Sequence, residues 1–224
     1  MCGGRGVLPF VNTAEAVRAW VYGWTVSRGA ADPVPEPWGY TVDVGLPGHV
    51  MRHVLTDAGE AVVRKLTENT TAPGVWLKTF VPPEALEPRL APGWSLAGGL
   101  GFLMTATLRA EAPAEPASGY LLRTWTRAGV TRVLVRTTDG ALAARGQVAV
   151  TGPTAVVDQI ETYPDHQRRG LGRVVMRTLT NAAADAGATA GVLGATPDGR
   201  ALYETVGWRE VAPLTGAMSG PLDR

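Results

Sequence analysis

The residues best placed to do chemistry lie in one stretch, Ala155 to Arg173, which reads AVVDQIETYPDHQRRGLGR. An apolar, β-branched run enters a turn at Pro164-Asp165, and Gln167-Arg168-Arg169-Gly170-Leu171-Gly172 then opens a helix. The first turn of a helix has backbone N–H groups without intrahelical acceptors, and its aligned peptide dipoles favour negative charge. Gly170 and Gly172 remove side chains where an anion must approach the backbone, and Arg168 and Arg169 add charged donors. The stretch therefore reads as a phosphate site at a strand–turn–helix junction. Two familiar phosphate motifs are excluded. A P-loop needs Gly-Lys-Ser/Thr, which is absent, and a dinucleotide fingerprint needs a third glycine where Val175 stands.

Other reactive side chains have plainer readings beside the chemical one. Asp158 and Glu161 lie on the strand that enters the turn, and strand alternation puts them on opposite faces. At most one then faces a substrate; Glu161 is taken as the base candidate ahead of Asp158, and a solvated or ion-paired carboxylate is the plain reading of either. His49 and His53 are four apart on a strand with no third ligand nearby, a poor metal pair, so no metal is expected. Trp20, Trp24, Trp38, Trp76 and Trp94 read as core, or in part as the wall of an acceptor pocket.

Downstream, ALYETVGW at 201–208 follows the phosphate turn after one helix and one strand. The two segments, in this order and spacing, resemble the GCN5-related N-acetyltransferase (GNAT) superfamily. Gln167, Arg168, Arg169, Gly170, Leu171 and Gly172 match its Gln/Arg-x-x-Gly-x-Gly/Ala signature, Tyr163-Pro164-Asp165-His166 matches the run before it, and 201–208 looks like its Leu-Tyr…Gly-Phe segment with Trp208 for Phe. The resemblance covers about 155–212 and implies an α/β mixed-sheet GNAT acyltransferase fold with acetyl-CoA as cosubstrate. By the same resemblance, the amides of 167–172 hold the coenzyme A pyrophosphate. Backbone groups from Ile160 to Thr162 hydrogen-bond the pantetheine, beside a bulge that splays this strand from the next. Tyr203 protonates the leaving thiolate. An acceptor amine attacks the thioester directly while a base such as Glu161, or a water relay, takes its proton. Thr196 stands where the family usually has Asn, and is carried as a cofactor contact. The family also places two helices between its first and second strands; here GYLLRTWT runs almost directly into VTRVLVRTT.

The elements that must position these residues fall on either side of AEAPAEPAS, 110–118, which reads as a linker. Residues 1–109 read as an N-terminal α/β region forming the acceptor side, open to the reading of a degenerate second lobe of the same fold; 119–224 read as the acetyl-CoA-binding domain. In the first part, a helix is expected over 12–28, a Pro/Gly-rich loop over 29–39, a hairpin around Gly45–Gly48, a helix over 58–69 capped by Asp57 with Ala61, Val62 and Leu66 inward, and a strand over 75–81. In the second, four strand-like runs precede a helix over 171–186, the strand AGVLGAT, a short helix near 199–206, a last strand near 208–212 and a polar tail.

Composition sets the outer bounds. The chain has 224 residues, 45% hydrophobic, enough for a real core, and a net charge of +1, which argues against bulk nucleic-acid binding. Only Lys65 and Lys78 among its 21 basic residues are lysines. Cys2 is the only cysteine, so no intramolecular disulfide forms. No apolar run suits a signal peptide or a membrane helix, and a cytoplasmic protein is the expectation. The acceptor is expected to be a small amine or amino acid, with no nucleic-acid or membrane partner and with a homodimer as the resemblance's suggestion. Two alternatives stay open: a non-catalytic acyl-CoA binding or sensing protein, and a tandem-lobe acyltransferase using a larger donor or a protein N-terminus.

Overall fold

A computed structural model describes residues 9–220. Its central element is the helix α1, Thr13–Arg28. Asn12 caps it, its side-chain oxygen accepting from the Glu15 amide at 2.9 Å, and Gly29 ends it in the left-handed region at φ 64°. Ala16, Val17, Trp20, Val21 and Trp24 are all buried, and with the buried Gly23 and Thr25 on either side they cover rather more than half of the helix circumference. Such a helix must lie between two apolar layers, and here it lies between two sheets. One core cluster joins α1 to Val42 and Val54 on one side and to Leu103, Val156 and Val192 on the other. Gly23 makes the close approach: a Cβ there would sit 2.2 Å from the Val156 side chain.

The first sheet begins with β1 (Val34–Glu36), β2 (Gly39–Leu46) and β3 (His49–Leu55). β1 falls inside the segment expected to be loop; it is a three-residue edge strand, the place in a sheet where Pro35 is tolerated. Helix α2 (Glu60–Asn69) then crosses to β4 (Val75–Thr79), which pairs parallel with β3. Asp57 does not cap α2 directly; its carboxylate accepts at 2.9 Å from the amide of Gly59, the residue just before the helix, and Val63 and Thr67 rather than Ala61 are the buried positions. A four-residue helix α3 (Pro83–Leu86) and a 3₁₀ turn lead to β5 (Trp94–Leu96) and β6 (Phe102–Thr107).

After the 110–118 segment come β7 (Tyr120–Arg127), β8 (Val130–Thr137), β9 (Leu142–Thr151) and β10 (Thr154–Thr162), an antiparallel meander. Helix α4 (Leu171–Asp185) crosses to β11 (Ala190–Ala195), parallel to β10, and α5 (Pro197–Glu204), β12 (Arg209–Pro213) and β13 (Thr215–Ser219) complete the chain. Leu171, Val175, Met176, Leu179 and Ala183 bury the inner face of α4 against this sheet, on the side opposite α1.

The strand orders are β1-β2-β3-β4-β13-β5 and β12-β6-β11-β10-β9-β8-β7. Each half therefore runs antiparallel pair, helix, parallel strand, short helix, strand, and sends its next strand into the other sheet. β6 inserts between β11 and β12, and β13 inserts between β4 and β5, each antiparallel to both neighbours. Sheet membership thus crosses the 110–118 segment in both directions. The tail expected to be polar is β13, fully buried; its hydroxyls are satisfied by backbone, Thr215 donating to Val81 O at 2.6 Å and Ser219 to Ala72 O at 2.5 Å. α1 packs on β9, β10 and β11, on the face of the second sheet opposite α4. No helix among the described residues is long and apolar enough to cross a membrane.

Candidate active site

β10 pairs with β9 through Asp158, loses register, and resumes at Glu161 opposite Arg145. At the break Gln159 adopts φ 55°, and the Asp158 carboxylate accepts from its amide at 2.9 Å. Such a bulge bends its strand and increases its twist. Accordingly β10 pairs with β11 only from Thr154 to Val156, although β11 continues its ladder with β6 as far as Ala195. Past Val156 the two parallel strands part, leaving a gap in the sheet.

The gap leads to the start of α4. Pro164–His166 form a 3₁₀ turn; the His166 amide donates to Tyr163 O at 2.9 Å and the Gln167 amide to Pro164 O at 3.2 Å. The Gln167 side chain donates back to Thr162 O at 3.3 Å, tying the turn to the strand end. Arg168 has φ 59° and Gly170 φ 76°, the left-handed values that turn successive amides toward one point. Among the described residues none of the amides from Arg168 to Arg173 finds a protein acceptor. The open donors thus begin one residue later than Gln167. A Cβ on Gly170 would meet nothing within 4 Å, so this position faces open space; a Cβ on Gly172 would sit 2.7 Å from Leu202, so that glycine serves the packing of α4 against α5. Leu171 contributes only its amide, its side chain being buried. Arg168 is exposed, and Arg169 donates to the Tyr120 hydroxyl at 2.9 Å, which is itself 3.2 Å from His166 Nδ1. The set of residues 168–173 fits a pyrophosphate: amides, three arginines and no acidic side chain.

Across the gap, α5 presents Tyr203. The ring is buried, and burial together with the Asp158 charge pushes its hydroxyl up to about 12. That hydroxyl makes no hydrogen bond to the described residues, yet it is not sealed from solvent. It is a neutral donor facing the gap. Thr196 caps α5, its Oγ1 accepting from the Gly199 amide at 3.2 Å, so its hydroxyl already has a structural partner. Ile160 turns its side chain into the core beneath α4, against Gly146, Val175 and Leu179, leaving only its backbone for a ligand.

The two carboxylates separate clearly. Glu161 is exposed and ion-paired with Arg145 at 2.8 Å, on the β9 side of β10 and away from the gap. Asp158 is the carboxylate whose charge is felt at Tyr203. It accepts from Ser27 Oγ at 2.9 Å and from Arg28 Nε and Nη2 at 2.5 and 3.0 Å, while Gln147 donates to Ser27 at 2.7 Å. Ser27 and Arg28, which no local motif singles out, thus enter the site from the C-terminal end of α1, about 130 positions away in the chain.

Beside them, on the α1 side of the first sheet, lies a group of cations. Arg52 stacks over Trp24 at 3.8 Å and is 8% exposed. Lys78 lies 5.2 Å from the Trp76 ring, and His49 packs between Trp24 and Trp76. Burial lowers Arg52 to about 9; burial and Arg52 lower Lys78 to about 8. Burial first, then Arg52, Lys78 and Arg28, lower His49 to about 4, so it is neutral. His53 sits elsewhere, against Thr41 and Trp38. Among the described residues no group of three or more His, Cys, Asp or Glu is placed to hold a metal; Cys2 lies outside them.

Residues 103–208 match the acetyltransferase (GNAT) family model, a segment that starts at β6, ahead of the 110–118 stretch. The fold is similar to that of a GCN5-related N-acetyltransferase from Kribbella flavida, with a TM-score of 0.62 at 17% identity over 95% of this chain and 98% of that one. It is also similar to a putative GNAT-family acetyltransferase from Novosphingobium aromaticivorans, with TM-score 0.59, 19% identity and 92% and 97% coverage. A third, a GCN5-related N-acetyltransferase from Sphaerobacter thermophilus, gives TM-score 0.57 at 12% identity over 97% and 96%. No curated protein sequence matches significantly.

Proposed function

From the premise that residues 103–208 form a GNAT-family acetyltransferase domain, we propose that the protein transfers acetyl from acetyl-CoA to the amine of a small molecule or amino acid. The observation that carries this reading is the parting of β10 from β11 after Val156, directly beside the open amides of residues 168–173. Acetyl-CoA supplies the acyl group as a thioester. The amides and the α4 dipole bind its pyrophosphate, and the unpaired edge of β10 from Ile160 to Thr162 takes the pantetheine amides as an added strand would. The amine nitrogen forms a bond to the carbonyl carbon, the carbon–sulfur bond breaks, and Tyr203 gives its proton to the departing sulfur. The amine's proton leaves toward Asp158, directly or through water, and Tyr203 regains its own from solvent.

The geometry favours Asp158 over Glu161 for this role, because Glu161 points out of the site. It also favours Thr196 as a cap rather than a coenzyme contact. Acetyl-CoA at about a hundred times its dissociation constant should stabilise the protein by roughly 2.7 kcal/mol, read as a rise in Tm. Absence of a shift with acetyl-CoA and with coenzyme A would refute the donor assignment.

A further inference from the structure

The cations on the α1 side lack what buried charges need. Arg52 makes no hydrogen bond and no ion pair among the described residues, and its Nε is sealed without a partner. Lys78 has neither as well, and its ammonium lies over an indole and beside the glycines Gly98 and Gly216. His49 Nε2 is also sealed and unpartnered. The nearest acid that acts on Arg52 is Asp158, already bound in two places by Arg28. A buried cation without a counterion is unfavourable for folding, and stacking on Trp24 offsets only part of that. Neither the terminal guanidinium nitrogens of Arg52 nor the Lys78 ammonium is sealed. They are donors without a protein acceptor among the described residues.

The place of this group matters as much as its charge. Arg52, Trp76 and Lys78 lie on β3 and β4, which face α1, and Arg28 and Trp24 come from the end of α1 that also holds Asp158. The donor amides of residues 168–173 belong to α4, on the opposite face of the second sheet. The two sides meet at the β10–β11 gap, where Asp158 and Tyr203 stand together.

We infer that this pocket seats an anionic group of the acceptor, a carboxylate or phosphate held by Arg52 and Lys78 between the Trp24 and Trp76 indoles, so that the acceptor is an amine-bearing acid. The inference rests on the acetyl-transfer reading for what the acceptor's other end does. The anion pocket itself stands on Arg52, Lys78 and His49.

The two lysines allow a test on the unmodified full chain. Lys65 is exposed on α2, and trace labelling with deuterated acetic anhydride, read by mass spectrometry, reports Lys78 against it. Succinate or inorganic phosphate, at ionic strength held constant with sodium chloride, should slow Lys78 labelling about tenfold at roughly ten times the dissociation constant and leave Lys65 unchanged. Whichever anion protects at lower concentration identifies the acid. Arg52→Gln should remove the protection while the acetyl-CoA thermal shift persists, which also shows that the variant folds. In turnover assays, amines bearing that acid should exceed their neutral amide counterparts in kcat/KM, and R52Q should lose the preference. Labelling of Lys78 indifferent to both anions would overturn the inference, as would protection by acetyl-CoA alone. Loss of the acetyl-CoA shift in the wild-type protein, with anion protection intact, would instead overturn the donor assignment.

Discussion

The chain makes the same crossover twice, and only one of the two is open. β3–α2–β4 and β10–α4–β11 each join parallel strands through a helix, and each is followed by a short helix and a strand. In the first, the parallel ladder runs from Met51↔Val75 to Val54↔Lys78, and no register shift interrupts β3 there. Its helix starts at Gly59-Glu60, with Asp57 already bound to the Gly59 amide. In the second, a bulge ends the parallel ladder after three pairs, and the helix starts at Gly170 with two arginines before it. Topology alone therefore opens no gap. A strand break opens one, beside a helix start whose amides find no acceptor among the described residues.

The sharpest way to break this comparison is to make the open helix start resemble the closed one. Gly170→Glu places a carboxylate where a pyrophosphate would lie and forces a side chain into the left-handed region, which costs about 1–2 kcal/mol. Acetyl-CoA binding should be abolished, read as loss of the thermal shift, while circular dichroism reports a folded protein. Gly59→Glu, the same change at α2, should leave acetyl-CoA affinity unaltered. Equal affinity of wild type and G170E would remove the site from α4.

The helices after the crossovers differ too. Each half buries one large side chain there, Tyr203 in the open half and Leu86 in the closed one. If the hydroxyl is the general acid, Tyr203→Phe should lower kcat about 10²-fold with the acetyl-CoA dissociation constant unchanged, since the ring is kept. A phenol raised to about 12 stays protonated across the working range, so kcat should show no limb from its ionisation below pH 10. Equal turnover in wild type and Y203F would take the residue out of the mechanism.

The closed crossover is not inert, because Lys78 lies on its second strand. Its value is lowered from 10.5 to about 8, by burial first and by Arg52 second. Gly216 on β13, Trp76 beside it and the Gly98 turn bring no acid to it. Below pH 8 the folded protein carries a poorly solvated ammonium. Between about 8 and 10.5 the unfolded chain binds a proton that the folded one does not, so stability should rise with pH across that window. The labelling midpoint of Lys78 should lie near pH 8. Arg52→Gln should raise the Lys78 midpoint by removing a like charge, and in the unmodified protein a bound anion should raise it as well.

How much of this was legible in the sequence follows from the range of the forces involved. The turn into α4, α4 itself and the short helix that carries Tyr203 are legible because helix starts, glycine positions and apolar periodicity are local. The helix at 13–28 was readable for the same reason, with its Asn12 cap and Gly29 stop. Its placement between two sheets was not, because nothing local distinguishes a helix buried on one side from one buried on both; the Gly23 contact with Val156 exists only in the folded chain. β13 reads as a polar tail in the sequence because Thr215 and Ser219 look solvent-facing until their backbone partners at Val81 and Ala72 are known. Strict alternation puts Asp158 and Glu161 on opposite faces of one strand, but the bulge between them adds a residue, so they pair with Gln147 and Arg145, two apart on β9, and share a face.

That last point leads to the smallest effect expected. Glu161 and Arg145 are each close to half exposed, and a pair of that kind contributes about 0–1 kcal/mol. Glu161→Gln should therefore change Tm little and kcat not at all, whereas Asp158→Asn should lower kcat and loosen Arg28. The two substitutions are three residues apart on one strand and remove the same charge, so a difference between them reports direction, not electrostatics at large. If the bulge at Gln159 turns Asp158 into the gap and Glu161 out of it, the asymmetry must appear. Matching losses in both variants would mean that the strand is not bent as described, and the open crossover would lose the feature that distinguishes it from the closed one.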